Sequence, residues 1–171
     1  MAAAQWYEAL HTANPRFRVG TRKRDITGCE FVYGTGVTSN AKGKFVVFND
    51  QTYTPVLITN APLTGEVAIS LSANLSATTN KLQVPTTVNW SWYLIYGSTK
   101  SLPNLSGLAQ IDTGSADKVA LSANSATAGR VQGDAVHAGK MISGAWAQGI
   151  SATNLGDALL NYPSIAGVSL A

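Results

Sequence analysis

The chain has one cysteine, Cys29, so no intrachain disulfide can form, and a reducing, intracellular place of synthesis is expected. Histidine is almost as scarce. His11 and His137 stand far apart, and no Cys/His cluster has metal-ligand spacing, so neither a metal nor another cofactor is expected. Charged residues make up only 12% of the sequence, an unusual balance for a freely diffusing protein, which gains solubility from surface charge. Gly, Ala, Ser, Thr and Asn fill the space instead, as suits a chain that spends its life packed against other chains. No run approaches the roughly 20 apolar residues of a membrane helix. The amino terminus has no cationic region followed by an apolar stretch, so neither a signal peptide nor membrane insertion is expected.

Motifs that carry chemistry are also missing. Ser-x-x-Lys occurs at Ser39/Lys42 and at Ser115/Lys118, but in a Ser-rich chain the pattern is cheap, and both copies fall in expected loops. No Gly-x-Ser-x-Gly elbow is present, and neither histidine has a neighbouring acid to orient it as a base. No phosphate-binding loop exists, and the nine acids are scattered singly, which leaves no carboxylate pair for glycoside hydrolysis. The sequons at Asn74, Asn89 and Asn104 are read as chance. An enzyme is not expected.

A length of 171 residues suits one domain able to bury about 70% of its unfolded surface. Residues 1–28 hold five cations (Arg16, Arg18, Arg22, Lys23, Arg24) against two anions, a net +3. The seven cations and seven anions of residues 29–171 cancel. The chain therefore divides into a basic N-terminal arm, residues 1–28, and a neutral body, residues 29–171. A short helix is predicted over residues 2–13, with Trp6 and Leu10 on one face, stopped by Pro15. The stretch with Phe17 between Arg16 and Arg18 reads as extended. Nucleic-acid binding is not expected, because the cations form one short run rather than a whole face.

The largest apolar concentration is VNWSWYLIYG, residues 88–97. Val88, Trp90, Trp92, Leu94 and Tyr96 share one side of a period-two repeat and are expected to form the core face of a central strand, with Gly97 as its turn. Further strands are expected at residues 30–37, 44–50, 54–59, 66–73, 108–112 and 118–123, separated by Gly, Pro, Asn and Asp. A Gly/Ala-rich tail follows. The spacing predicts an all-β fold, a single compact β-sandwich or barrel of short antiparallel strands. Trp6 and Trp146 lie in segments with less apolar company and are candidate interface anchors, and Tyr162 is a further candidate interface residue.

Three stretches together resemble the decoration (cement) proteins of tailed-bacteriophage capsids: PRFRVGTRKRDITGCEFVYGTGV (residues 15–37), WYLIYG (92–97) and VHAGKMISGAW…ALLNYP (136–163). The match covers most of the chain and departs at Trp146, Gln148, Thr153 and Asn154, which interrupt a run of small residues. The resemblance implies a non-enzymatic virion protein on the outer capsid surface, made in the host cytoplasm. Its partners would be the major capsid protein and copies of itself, with a trimer favoured over a dimer. On that reading Trp6, Arg16, Phe17, Arg18, Arg22, Lys23 and Arg24 contact the capsid. The alternative is a virion-surface or tail-associated β-domain that binds host glycans through exposed aromatics.

Overall fold

The computed structural model describes residues 17–37, 42–48, 52–59, 63–71, 90–112, 120–123, 127–133, 141–150 and 155–165. The helix predicted over residues 2–13, and with it Trp6, as well as Arg16, Val88 and both histidines, lie outside them. Strands account for 62% of the described residues, and the fold is all-β. No helix there is long and apolar enough to cross a membrane.

Eleven strands form one continuous sheet. They are β1 (Arg22–Arg24), β2 (Glu30–Thr35), β3 (Phe45–Phe48), β4 (Pro55–Leu57), β5 (Gly65–Ser70) and β6 (Trp90–Ser98), then β7 (Ala109–Asp112), β8 (Ala120–Ser122), β9 (Val131–Gly133), β10 (Met141–Ile150) and β11 (Leu155–Ile165). Strands β11, β10, β8, β9 and β7 pair in sequence and return to β11, closing a five-stranded barrel. Within it β7 and β9 run parallel, an exception to the expected antiparallel order. The other strands lie outside the barrel. β5 and β6 join them to it: both pair with β11, and β6 also pairs with β2 along one side and with β5 along the other. Among the described residues only β1 and β4 have a single neighbour and form the edges of the sheet.

β6 has its place because both of its faces are apolar. Trp92 and Leu94 enter the main core with Phe31, Tyr33, Val67 and Ile69, which continues into the barrel through Ile111, Leu121, Val131 and Leu160. Trp90 packs at its margin, stacked on Tyr33. The opposite face carries Tyr93 and Ile95, which join a second cluster with Val32, Val46, Phe48 and Ala68 under Tyr53 and Leu57. The Tyr93 hydroxyl donates to the Thr35 carbonyl at 2.7 Å, and burial pushes the phenol pKa well above its ordinary value.

Two expectations for this strand need correcting. Gly97 is not its turn: β6 runs on to Ser98, and the chain then turns through a short 3-10 helix, Thr99–Ser101. Gly97 has φ +110°, and a Cβ there would sit 2.5 Å from Cys29 Sγ, so the close approach of β2 requires glycine. Nor does Tyr96 join the core. Phe31 pairs with Leu94 but Glu30 pairs with Tyr96, leaving Ile95 as the extra residue of a β-bulge. A one-residue slip reverses the facing of all that follows, so Tyr96 emerges half-buried beside the exposed Tyr162.

The two longest strands, β10 and β11, fall in the segment read only as a Gly/Ala-rich tail. Their buried residues mix small groups, Ala145 and Ala147 on β10 and Gly156 and Ala158 on β11, with Ile142, Leu160 and Ile165. The strands hold because the barrel buries these small groups against Leu121 and Ile142. A polar clasp fastens the loop after β6 to β11. The buried Thr99 hydroxyl donates to Asp157 Oδ1 at 3.0 Å, Gly107 N–H donates to the same oxygen at 2.8 Å, and Ala158 N–H donates to Thr99 Oγ1 at 2.9 Å.

Replacing Trp92 by Ala is expected to cost about 3–5 kcal/mol of stability, as for other large core truncations. Trp90→Ala is expected to cost clearly less, and urea unfolding of both variants checks the difference. The buried Cys29 thiol has its pKa raised, first by desolvation. The folded state therefore holds this proton more tightly than the unfolded chain. Its stabilising contribution is complete below the unfolded thiol pKa and is lost as pH rises through the folded value. Urea midpoints from pH 7 to 11 are expected to fall more steeply for the parent than for Cys29→Ala.

Candidate functional site

The basic residues near the amino terminus are built into the sheet rather than hanging from it. Phe17 packs edge-on against Tyr33 (centroids 5.4 Å apart) and Trp92 (5.1 Å), which ties the end of the arm to the main core. Lys23 Nζ lies 4.2 Å above the Phe17 ring, a cation–π contact. β1 then pairs antiparallel with β2, setting Arg22 against Val32 and Arg24 against Glu30. Of the seven arm residues expected to contact a partner, Arg22, Lys23, Arg24 and Phe17 thus have roles inside this chain. Arg18 is exposed and forms no ion pair among the described residues.

Glu30 and Glu66 neutralise β1. Arg22 Nη2 donates to both carboxylate oxygens of Glu66, at 2.8 and 3.1 Å, and Arg22 Nη1 lies 4.0 Å from Glu30 Oε1. Arg24 Nη2 donates to Glu30 Oε2 at 3.2 Å. Burial works against the Arg22 charge, but the attraction of Glu66 and hydrogen bonds to Glu66 and Tyr53 more than offset it, and the guanidinium pKa is raised. That of Arg24 is raised through its hydrogen bonds with Glu30 and Tyr162. Glu30 was not singled out by the sequence, yet three side chains converge on it from both ends of the chain.

The third of these is Tyr162, whose hydroxyl donates to Glu30 Oε2 at 3.1 Å. Its ring stacks on Tyr96 with centroids 5.1 Å apart, and the Arg24 guanidinium lies 5.9 Å from the centre of the Tyr96 ring. Tyr162 sits at φ +45°, a left-handed conformation that costs a non-glycine residue of order 1–3 kcal/mol. The cause is a second irregularity: Ala145 pairs with Leu160 and Ser143 with Ser164, so residues 161–163 bulge from β11 opposite Gly144. A Cβ on Gly144 would lie 2.5 Å from the Asn161 carbonyl oxygen. Two bulges, on β6 and β11, thus aim two tyrosines at one place.

Pairing register lines up Arg24, Glu30, Tyr96 and Asn161 as a row across β1, β2, β6 and β11. Beyond its end lies the turn of residues 25–28, whose Ile26 is fully exposed. Trp146, another candidate interface residue, is half-buried on β10 between Ala120 and Leu159. No group of three or more His, Cys, Asp or Glu among the described residues is placed to hold a metal ion. The row, with Tyr162 beside it, brings two aromatic rings and paired charges together on one surface.

The Arg22–Glu66 pair is only partly exposed and engages both carboxylate oxygens, so Glu66→Gln is expected to cost about 1–2 kcal/mol. That cost should shrink in 1 M salt, measured as the change in urea midpoint. No family model, no curated protein and no solved structure matches this chain.

Proposed function

We propose that the chain is a structural virion protein that binds the outer surface of a tailed-phage capsid and staples major capsid subunits together. One observation carries this reading. The three stretches that resemble decoration proteins are far apart in sequence, yet they contribute adjacent strands and meet at one surface. Arg24 and Glu30 come from the first, Tyr96 from the second and Tyr162 from the third. That each of the three stretches contributes a residue to one prebuilt surface suits a shared binding task.

The physical properties of the body support the same task. A closed barrel continuous with the outer strands is a stiff unit, and its sparse charge favours close packing on protein neighbours. A stable interface buries about 1,600 Å² in total, and modest contacts repeated on two or three subunits add avidity. Such contacts across capsomer boundaries oppose the outward pressure of packaged DNA. A homotrimer would match a local symmetry axis of the shell. The alternative, host-glycan recognition, draws on one observation, the exposed Tyr162 ring stacked on Tyr96. Glycan-array binding that disappears in Tyr162→Ala would favour it over the capsid reading.

Purified protein is expected to co-sediment with expanded, empty heads and to raise their disruption temperature. Failure to co-sediment, with head stability unchanged, rejects the proposal. Deleting residues 1–24 removes Phe17 and β1 and should lower the stability of the body as well as its head binding. Deleting only residues 1–16 should spare stability, with urea unfolding and co-sedimentation as the paired readouts.

A further inference from the structure

We propose that Tyr96 and Tyr162 form an oxidative cross-linking site, at which a one-electron oxidant couples the two rings into a dityrosine that ties β6 to β11. The modification is a property of this chain alone and does not depend on the capsid reading.

Three features of the pair favour coupling. The rings are already together, stacked with centroids 5.1 Å apart and planes 30° from parallel. Tyr96 pairs with Asn161 across the two strands, and Tyr162 follows directly in the bulge opposite Gly144. Holding two reacting groups side by side turns a chance encounter into a unimolecular step, with effective molarities well above any protein concentration. The pair is also within reach of an oxidant. Tyr162 is 43% exposed and Tyr96 half-buried, whereas Tyr33 and Tyr93 are fully buried.

The third feature is a base. The Tyr162 hydroxyl donates to Glu30 Oε2 at 3.1 Å, within range for proton transfer. Taking an electron from a phenol makes its hydroxyl strongly acidic, so an acceptor already bonded to that proton eases the electron's departure. Arg24 Nη2 bonds the same oxygen at 3.2 Å and fixes the carboxylate beside the rings. Tyr53 lacks this arrangement: its ring packs on Phe48 and its hydroxyl meets Arg22, a cation rather than a base.

The step is a two-electron oxidation. Each phenol gives one electron to the oxidant and loses its hydroxyl proton, that of Tyr162 to Glu30 and that of Tyr96 to water. The two neutral radicals join through a carbon ortho to each oxygen, which forms one C–C bond. Those carbons then release their hydrogens as protons while the oxygens regain theirs, restoring two phenols. A haem peroxidase with hydrogen peroxide is an oxidant of this class, and one peroxide becomes two waters for each bond made.

Dilute full-length parent is treated with such a peroxidase and limiting peroxide, beside Tyr96→Phe, Tyr162→Phe and Glu30→Gln. Parent should gain dityrosine fluorescence at unchanged oligomer mass, lose two hydrogen atoms per chain, and yield a joined peptide pair containing residues 96 and 162. Its urea midpoint should rise after treatment, because a bridge across a long loop constrains the unfolded chain. Both phenylalanine variants should lose this product. Glu30→Gln should form it at least about 10-fold more slowly, and added acetate, a diffusible base, should restore part of that rate. Coupling of Glu30→Gln at the parent's rate overturns the part given to the carboxylate. Parent whose Tyr96 and Tyr162 stay unjoined, while the peroxidase couples free tyrosine or links one chain to another, overturns the site. Head binding is not read in any of these outcomes, so the capsid reading stands or falls separately.

Discussion

One extra residue decides the shape of this molecule. Ile95 is the bulge in β6, and it lies between the residues that pair with β5 (Tyr93, Leu94) and those that pair with β11 (Tyr96, Gly97, Ser98). Before the bulge, Trp92 and Leu94 fill the main core and Tyr93 and Ile95 fill the cluster behind it. After it, Tyr96 is released to the surface and Gly97 slides under Cys29. A regular strand would drive Tyr96 into the core beside Leu94. Bulges bend strands and re-aim side chains, and here the bend and the re-aimed tyrosine are two results of the same insertion.

How far the sequence revealed this depended on side-chain size and on regularity. Strands β2, β3, β5 and β6 were legible because Phe, Val, Ile, Tyr and Trp mark buried pleats strongly. β10 and β11 were hidden because four of their inward residues, Ala145, Ala147, Gly156 and Ala158, are small and carry little pattern. Tyr96 was misplaced because a period-two reading assumes an unbroken strand. β1 was missed because Arg22, Lys23 and Arg24 read as part of a basic arm reaching to a partner, while Glu30 and Glu66, which pair with the two arginines, lie on other strands. The Glu30 hub joins residues 132 positions apart, a closeness that only tertiary pairing creates.

Charge is handled in a way the formal total conceals. The excess of positive charge belongs to the first 28 residues, yet the part of that segment within the sheet is largely matched by Glu30 and Glu66. Arg22 and Arg24 act as fasteners for an edge strand, and Lys23 is held over an aromatic ring. The surface they create is therefore polar and aromatic rather than strongly electropositive. Recognition by such a surface depends on fit, and salt should affect it only weakly.

The two edges of the sheet have a consequence for crowding. An eleven-stranded sheet with open flanks is a template on which further chains can add strands without limit. Here each described edge is three residues long. β1 is made entirely of Arg and Lys, and β4 begins with Pro55. Proline offers no amide hydrogen for a new ladder, and two β1 edges brought together would set cations against cations. Copies held at high local density are thus steered away from fibre-like growth and toward contacts made by side chains and turns, whose number is set by the surface that receives them.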